Sequence, residues 1–176
     1  FDDAWPDRRS NGCWPVVGDT TALLANVGCF DGVLVAIGNN RIRQAKLLEL
    51  QAAGAHVVSL IHPSATFSRY ARMGVGSVVF AGAVINADTQ IGQGAILNTG
   101  CSVDHDCILG NAVHISPGAR LAGGVQMGDL SWVGIGASVR QLVLIGSSVI
   151  VGAGAAVVAD VSDGLTVVGV PARSLR

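Results

Sequence analysis

From Ile61 to Ser162 a large apolar residue returns at every sixth position without a slip of phase, beginning Ile61, Phe67, Met73, Val79 and ending Ile145, Val151, Val157. Four residues after each stands a small or compact one, from Ala65, Ala71 and Ser77 through Cys101 and Cys107 to Ala155 and Val161. A period of six fits neither the turn of a helix nor the two-residue alternation of a flat strand. It does fit a parallel β-solenoid whose coils stack their inward-pointing residues on one another. With three hexads to a coil the stretch makes about 5.7 coils, and at roughly 4.8 Å per coil a prism about 27 Å tall. The period fixes the column and leaves its hand open. Gly74, Gly92, Gly110, Gly128, Gly134, Gly146 and Gly152 each follow an inward residue directly, where a corner calls for little bulk or for unusual dihedrals.

Composition bounds what such a column can serve. Half of the 176 residues are apolar and 13% are charged, which is too apolar for a disordered chain and long enough for one or two small domains. No apolar run reaches the roughly 18 residues of a spanning helix, so membrane insertion is not expected, and the hydrophobicity points to a solenoid interior and a buried subunit interface. A net charge of −1 with no basic run argues against a nucleic-acid partner. Cys13, Cys29, Cys101 and Cys107 have neither zinc nor redox spacing. They read as structural thiols of a reducing compartment, and with no secretory segment at the start a cytoplasmic location is expected.

Residues 1–60 carry a different rhythm. Val33–Ile37 reads as a buried strand, Gly38-Asn39-Asn40 as a turn, Arg41–Ala53 as an amphipathic helix ended by Gly54, and His56–Ile61 as a second strand. Asp19 is placed to cap a short helix through Ala25, and Trp14–Val17 suggests a further short strand. His62-Pro63 closes this first unit, because the residue before proline is pushed to extended backbone. The hexad fails after Ser162, and residues 163–176 are expected to cover the last open coil as a C-terminal cap.

Several segments resemble a known family. Asn98-Thr99, Val103-Asp104-His105-Asp106-Cys107-Ile108, Val113-His114-Ile115-Ser116-Pro117-Gly118-Ala119 and Val168-Gly169-Val170-Pro171-Ala172 are similar to the hexapeptide-repeat nucleotide-sugar acetyltransferases, the PglD-like enzymes that acetylate a UDP-linked 4-amino sugar. The resemblance spans nearly the whole chain and implies a left-handed β-helix over 61–162. Before it the family has a small Rossmann-like domain that binds the nucleotide sugar, an α/β unit whose first strand and glycine-rich loop would lie before Phe1. It also implies acetyl-CoA as co-substrate, direct transfer to a sugar amine with no metal and no covalent enzyme intermediate, and a homotrimer.

Carried over residue by residue, the resemblance makes His105 the general base that takes the proton of the attacking amine, a task suited to a neutral imidazole. Without it, His105 reads first as a solvated corner residue with its two aspartates. Asp106 matches the acidic partner that would orient the ring, although strand alternation points both Asp104 and Asp106 away from His105 unless a corner intervenes. His114 matches the residue that contacts the acetyl group, with packing in a subunit seam as the plainer alternative. Gly123, Ile135, Gly136 and Ala153 match the groove that takes the pantetheine arm, and Arg173 could meet the coenzyme phosphates. Asn98 matches a substrate-contacting position one hexad before His105. In the first unit Gly38, Asn39 and Asn40 match a diphosphate-binding turn at a strand-to-helix junction, and Asp2 and Asp3 match contacts to nucleoside or sugar.

His105 and His114 are nine residues apart, one and a half hexads, which puts them on different sides of a three-sided column and on the order of 15 Å apart. They can share a site only across two chains, which favours a cyclic trimer with clefts between columns. Three other readings compete. O-acetylation of a sugar such as sialic acid uses a similar scaffold. A zinc hydratase on the same column needs three histidines at a seam, and the array offers His105 and His114 with His62 only at its entrance. A non-enzymatic solenoid of the ice-binding kind would favour a threonine face, and Thr89 and Thr99 are nearly alone in the coils.

Overall fold

The computed structural model describes residues 1–175. The hexads form two-residue strands separated by four-residue corners, and strands eighteen residues apart pair in parallel to build three faces. The first face runs from Thr66–Phe67 through Ser102–Val103 to Ala156–Val157 in six strands. A second, of five strands, runs from Arg72–Met73 through Ile108–Leu109 to Leu144–Ile145. The third begins at Leu60–Ile61 and carries His114–Ile115, Trp132–Val133 and Ile150–Val151.

Inside the prism the expected residues are buried from Val79 onward, while Phe67 and Met73 are half-buried and Ile61 is exposed because the first coil has no coil beneath it. Three polar residues occupy inward positions and each is satisfied there. Thr89 Oγ1 donates to Asp104 O at 2.7 Å, and the Ser77 and Ser131 hydroxyls each accept one backbone N–H and donate to one carbonyl. Cys101 and Cys107 fill inward slots completely, and burial pushes the Cys101 thiol up to about 12 and raises that of Cys107. Cys13 and Cys29 are exposed.

The corners refine the reading of the glycines. Those directly after an inward residue do not use positive φ; a Cβ on Gly74 would stand 2.5 Å from Gln93 N in the next coil, so lack of bulk alone is required there. The left-handed residue lies two places later. From Gly76 to Gly154 every corner has one, and it is a glycine except at Asp88, Asp106, Ala112, Leu130, Leu142 and Ser148.

The first unit is sparser than its sequence suggests. Helix α1, Thr20–Ala25, is capped by Asp19 as expected, and α2 covers Asn40–Ala52 with Asn39 as its cap. The strand expected over Val33–Ile37 reduces to one parallel bridge, Val33 to Val57. Two bonds hold it, Val33 N to His56 O and Val58 N to Val33 O, and among the described residues no further strand flanks the pair to extend the ladder. Of the strand expected over His56–Ile61, Leu60–Ile61 belongs to the column. Trp14–Pro15 pairs antiparallel with Ser10–Asn11, and Val16 and Val17 lie outside the pair. A small core of Val35, Leu47, Leu50 and Val57 packs this unit.

At the other end the stack outlasts the hexad. Thr166–Val168 pairs in parallel with Ile150–Val151 at a spacing of sixteen residues, so the last coil is two residues shorter and the period is lost while the third face continues. Arg173–Ser174 then folds back antiparallel on that strand.

Candidate active site

His105 stands on the corner between the first and second faces, and it is exposed. Its neighbour Asp106 is the left-handed residue of that corner, with φ of 59°. That conformation breaks strand alternation and swings the carboxylate back, so that His105 Nδ1 and Asp106 Oδ2 lie 2.7 Å apart. A carboxylate can only accept, so Nδ1 carries the proton and Nε2 keeps its lone pair. Asp104 does other work: its Oδ1 accepts from the His105 backbone N–H and from Asn86 Nδ2, each at 2.9 Å. The bond to Asp106, followed by the nearby charge of Asp104, raises the pKa of His105 above its ordinary value. Gly123, one coil further along, lies against the ring: a Cβ there would be 2.7 Å from His105 Cε1. The residue expected in a coenzyme groove is therefore also the floor under the imidazole.

His114 occupies the third face and is 9% exposed. Its ring stacks on Trp132, with centroids 5.2 Å apart and planes 4° from parallel. Trp132 is in turn fixed by donating Nε1–H to Ser116 Oγ at 2.6 Å. Asn98 Oδ1 accepts the Thr99 N–H, which leaves Nδ2 to donate to His114 Nε2 at 3.2 Å. The proton of the neutral ring then sits on Nδ1, which is buried and has no partner among the described residues. Burial, and secondarily the positive charge of Arg43, hold the pKa of His114 down at about 4. A desolvated N–H without a partner carries a hydrogen bond still to be made.

A cavity of about 270 Å³ opens beside His114 and Asn98 and is closed by Ile37, Gly38 and Phe80. The extended segment 34–37 separates it from a second cavity of about 430 Å³ lined by Asp2, Asp3, Thr20 and Lys46. Asp2 is paired with Arg8 at 3.0 Å, and Asp3 with Lys46 at 3.2 Å. Bonds from Thr20 and the ammonium of Lys46 hold the Asp3 carboxyl down at about 2. Gly38 lines the smaller cavity, and Asn39 caps α2. The Asn40 side chain is buried and directed at the column: its Nδ2 donates to Leu130 O at 3.0 Å and Ser131 O at 3.3 Å, which leaves the backbone N–H groups of the turn as the part that could meet a diphosphate. Ile135, Gly136 and Ala153 line up on the corner that leaves the third face, and the N–H of Gly136 is already bonded to Pro117 O. Arg173 is exposed and donates to Ala172 O.

The candidate residues thus fall into two groups on one chain. His105, Asp106 and Gly123 share one corner, while Asn98, His114, Ile135, Gly136 and Ala153 lie on or beside the third face across the prism. Trp132 and Asn86 were not anticipated, yet both follow from the eighteen-residue coil: Trp132 is one coil after His114 and Asn86 one coil before Asp104. Arg43, fully buried on α2, had no such signal.

A parallel β-solenoid of hexads places the chain among the hexapeptide-repeat proteins. No protein-family model matches the chain, and no curated protein matches it. Solved structures do. The acetyltransferase domain of PglB from Neisseria gonorrhoeae FA1090 is 47% identical over 96% of this chain and 82% of that one, with a TM-score of 0.91; the same domain has been solved in complex with acetyl coenzyme A. Perosamine N-acetyltransferase from Caulobacter crescentus, in complex with CoA and GDP-perosamine, is 45% identical over 96% of this chain and 81% of that one, at 0.93. WeeI from Acinetobacter baumannii AYE is 29% identical over 99% and 84%, at 0.84. The chain belongs to the hexapeptide-repeat nucleotide-sugar acetyltransferases.

Proposed function

We propose that this chain transfers the acetyl group of acetyl-CoA to the amine of a nucleotide-linked 4-amino sugar, with His105 as general base. The observation that carries the reading is the His105–Asp106 pair, an exposed imidazole with Nδ1 tied to a carboxylate and Nε2 free. The PglB domain binds acetyl coenzyme A and the Caulobacter enzyme binds CoA with GDP-perosamine, and both share this fold at 43–45% identity or more.

The amine nitrogen attacks the thioester carbonyl as its proton passes to His105 Nε2. His114 Nδ1–H is suited to donate to the carbonyl oxygen as negative charge develops there. The C–S bond then breaks, and the imidazolium returns the proton to the departing thiolate. Asp106 holds the ring in the required tautomer. The two histidines stand on different sides of the column, which supports assigning the site to a seam between copies, and a homotrimer would supply three such seams. We assign the nucleotide sugar to residues 1–60, with Asp2, Asp3, Gly38, Asn39 and Asn98 as its contacts. The pantetheine arm is assigned to Gly123, Ile135, Gly136 and Ala153 of the array at 61–162, and the coenzyme phosphates to Arg173 in the segment 163–176. Both co-substrates are intracellular, which assigns the reaction to the cytoplasm.

The test is thiol release from acetyl-CoA with a panel of UDP- and GDP-linked 4-amino sugars, GDP-perosamine included, and hydroxy-sugar counterparts. An acetamido product with one nucleotide series and none with the hydroxy sugars is expected. No release above background with any amine would overturn the reading. Mixing His105→Ala chains with His114→Ala chains should restore part of the activity, and no restoration after verified chain exchange would refute the shared seam.

A further inference from the structure

Arg43 is 1% exposed, and no carboxylate pairs with it among the described residues. Burial lowers its pKa only to about 10, so it stays charged at neutral pH. A buried cation must satisfy its five donors, and Arg43 does so with carbonyls and one amide oxygen. Nη1 donates to Ile37 O at 2.9 Å and Gly38 O at 3.0 Å; Nε donates to Gly94 O at 2.7 Å. Nη2 donates to Asn40 Oδ1, Ala112 O and, at 3.3 Å, Val113 O.

Val113 O belongs to the peptide unit whose N–H is that of His114. The carbonyl end of this unit is held by Ile96 N at 2.9 Å as well as by Arg43. Its N–H end donates to Ser131 O at 3.0 Å, the same oxygen that Asn40 Nδ2 reaches. The first turn of α2 therefore holds the carbonyl end of the His114 peptide directly through Arg43 and fixes the acceptor of its N–H end through Asn40, while the other edge of the guanidinium shapes the turn at Ile37–Gly38. Mere attachment of the first unit to the column needs none of this, since Leu47 already packs against the column at Gly76 and Gly94.

We infer that Arg43, with Asn40, is a positioning residue that fixes His114 and the Ile37–Gly38 turn as one rigid piece, so that the nucleotide-sugar side and the thioester side of the site are set in register by a single guanidinium. The same cation repels a proton on His114, whose other neighbours Asn98, Trp132 and Ser116 are uncharged. The step of chemistry is unchanged; what Arg43 supplies is alignment, to which rates are sensitive on the ångström scale.

Because this rests on reading His114 as the thioester contact, one arm of the test is independent of acetyl transfer. Histidine-labelled chain is titrated by NMR as wild type, Arg43→Gln, Arg43→Lys and Asn40→Ala, and the same proteins are assayed at a temperature where each is folded. In Arg43→Gln the His114 pKa should rise by about one unit with loss of the charge, and in Arg43→Lys, which keeps the charge but not the fork, by less. Both should lose about tenfold or more in kcat and show a raised KM for the nucleotide sugar, with KM for acetyl-CoA nearly constant. A lowered Tm with unchanged His114 titration, kcat and KM would reduce Arg43 to a structural staple and overturn the inference. If Arg43→Gln does not fold, Asn40→Ala decides: a folded variant with wild-type kcat and KM overturns it, and a kcat reduced about threefold or more supports it. Should the wild type acetylate no amino sugar, the proposed function fails, yet the His114 titration still supports or refutes the link to Arg43.

Discussion

The two histidines of the array are nine residues apart in sequence and opposite in environment. His105 stands in solvent on a corner with a carboxylate on Nδ1, and its pKa is raised. His114 is packed between Trp132, Asn98 and the buried charge of Arg43, and its pKa falls to about 4. The first imidazole is biased towards its protonated form and the second against it. Identical side chains receive opposite proton affinities from the geometry of a corner against that of a face.

The contrast breaks most visibly at the base. His105→Ala should lower kcat by about 10² to 10⁴ with acetyl-CoA affinity nearly unchanged; a variant keeping more than about a third of wild-type kcat with the true sugar would remove His105 from the role. His114 should report through stability. Its ring binds a proton near pH 6.5 when unfolded and near 4 when folded, so between these values the unfolded state binds more protons and stability falls as pH drops. The loss amounts to at most about 3 kcal/mol, and the window lies above that of Asp3, which runs from 3.8 to about 2. Denaturant unfolding of His114→Phe should lack this slope, and a slope that survives belongs to another group.

Gly123→Ala sharpens the contrast by disturbing the exposed ring and leaving the buried one alone. The three atoms nearest a Cβ at that site all belong to the His105 ring, so the imidazole shifts off Asp106; kcat should fall about 10- to 100-fold while stability changes by less than about 0.5 kcal/mol. An unchanged kcat would show that the floor is not needed. The smallest effect is expected from Asp106→Asn, because the pair is exposed and asparagine also tolerates the left-handed corner. Loss of the charge lowers the His105 pKa, so the acid limb of the pH–rate profile should move to lower pH and the maximal rate should fall by less than in His105→Ala. An acid limb that does not move separates Asp106 from the base.

Most of the column could be read from the chain because each hexad states its own inward residue, and the coil length then follows by arithmetic. The same arithmetic, adding or subtracting eighteen, points from His114 to Trp132, from Asp104 to Asn86 and from His105 to Gly123. It stops where partners have no common period. Arg43 and Asn40 reach carbonyls 51 to 91 residues away, and a carbonyl oxygen has no sequence signature. The Asp106 contact was half legible: alternation forbade it, and only the left-handed corner restores it. The strand at Val33–Ile37 was misjudged for a related reason, since an apolar run states burial but not whether a neighbouring strand is there to pair with.

The four cysteines give the column a chemical clock. Cys13 and Cys29 lie in solvent, whereas Cys101 and Cys107 are sealed inside consecutive corners, Cys107 donating to Ala122 O at 3.3 Å. Only a thiolate reacts with an alkylating agent, so two thiols should be labelled at once and two only when a middle coil opens. Each coil touches only its neighbours, so fraying can start at either end. The lag between the fast pair and the slow pair would then time how often that fraying travels inward as far as the coil that carries His105.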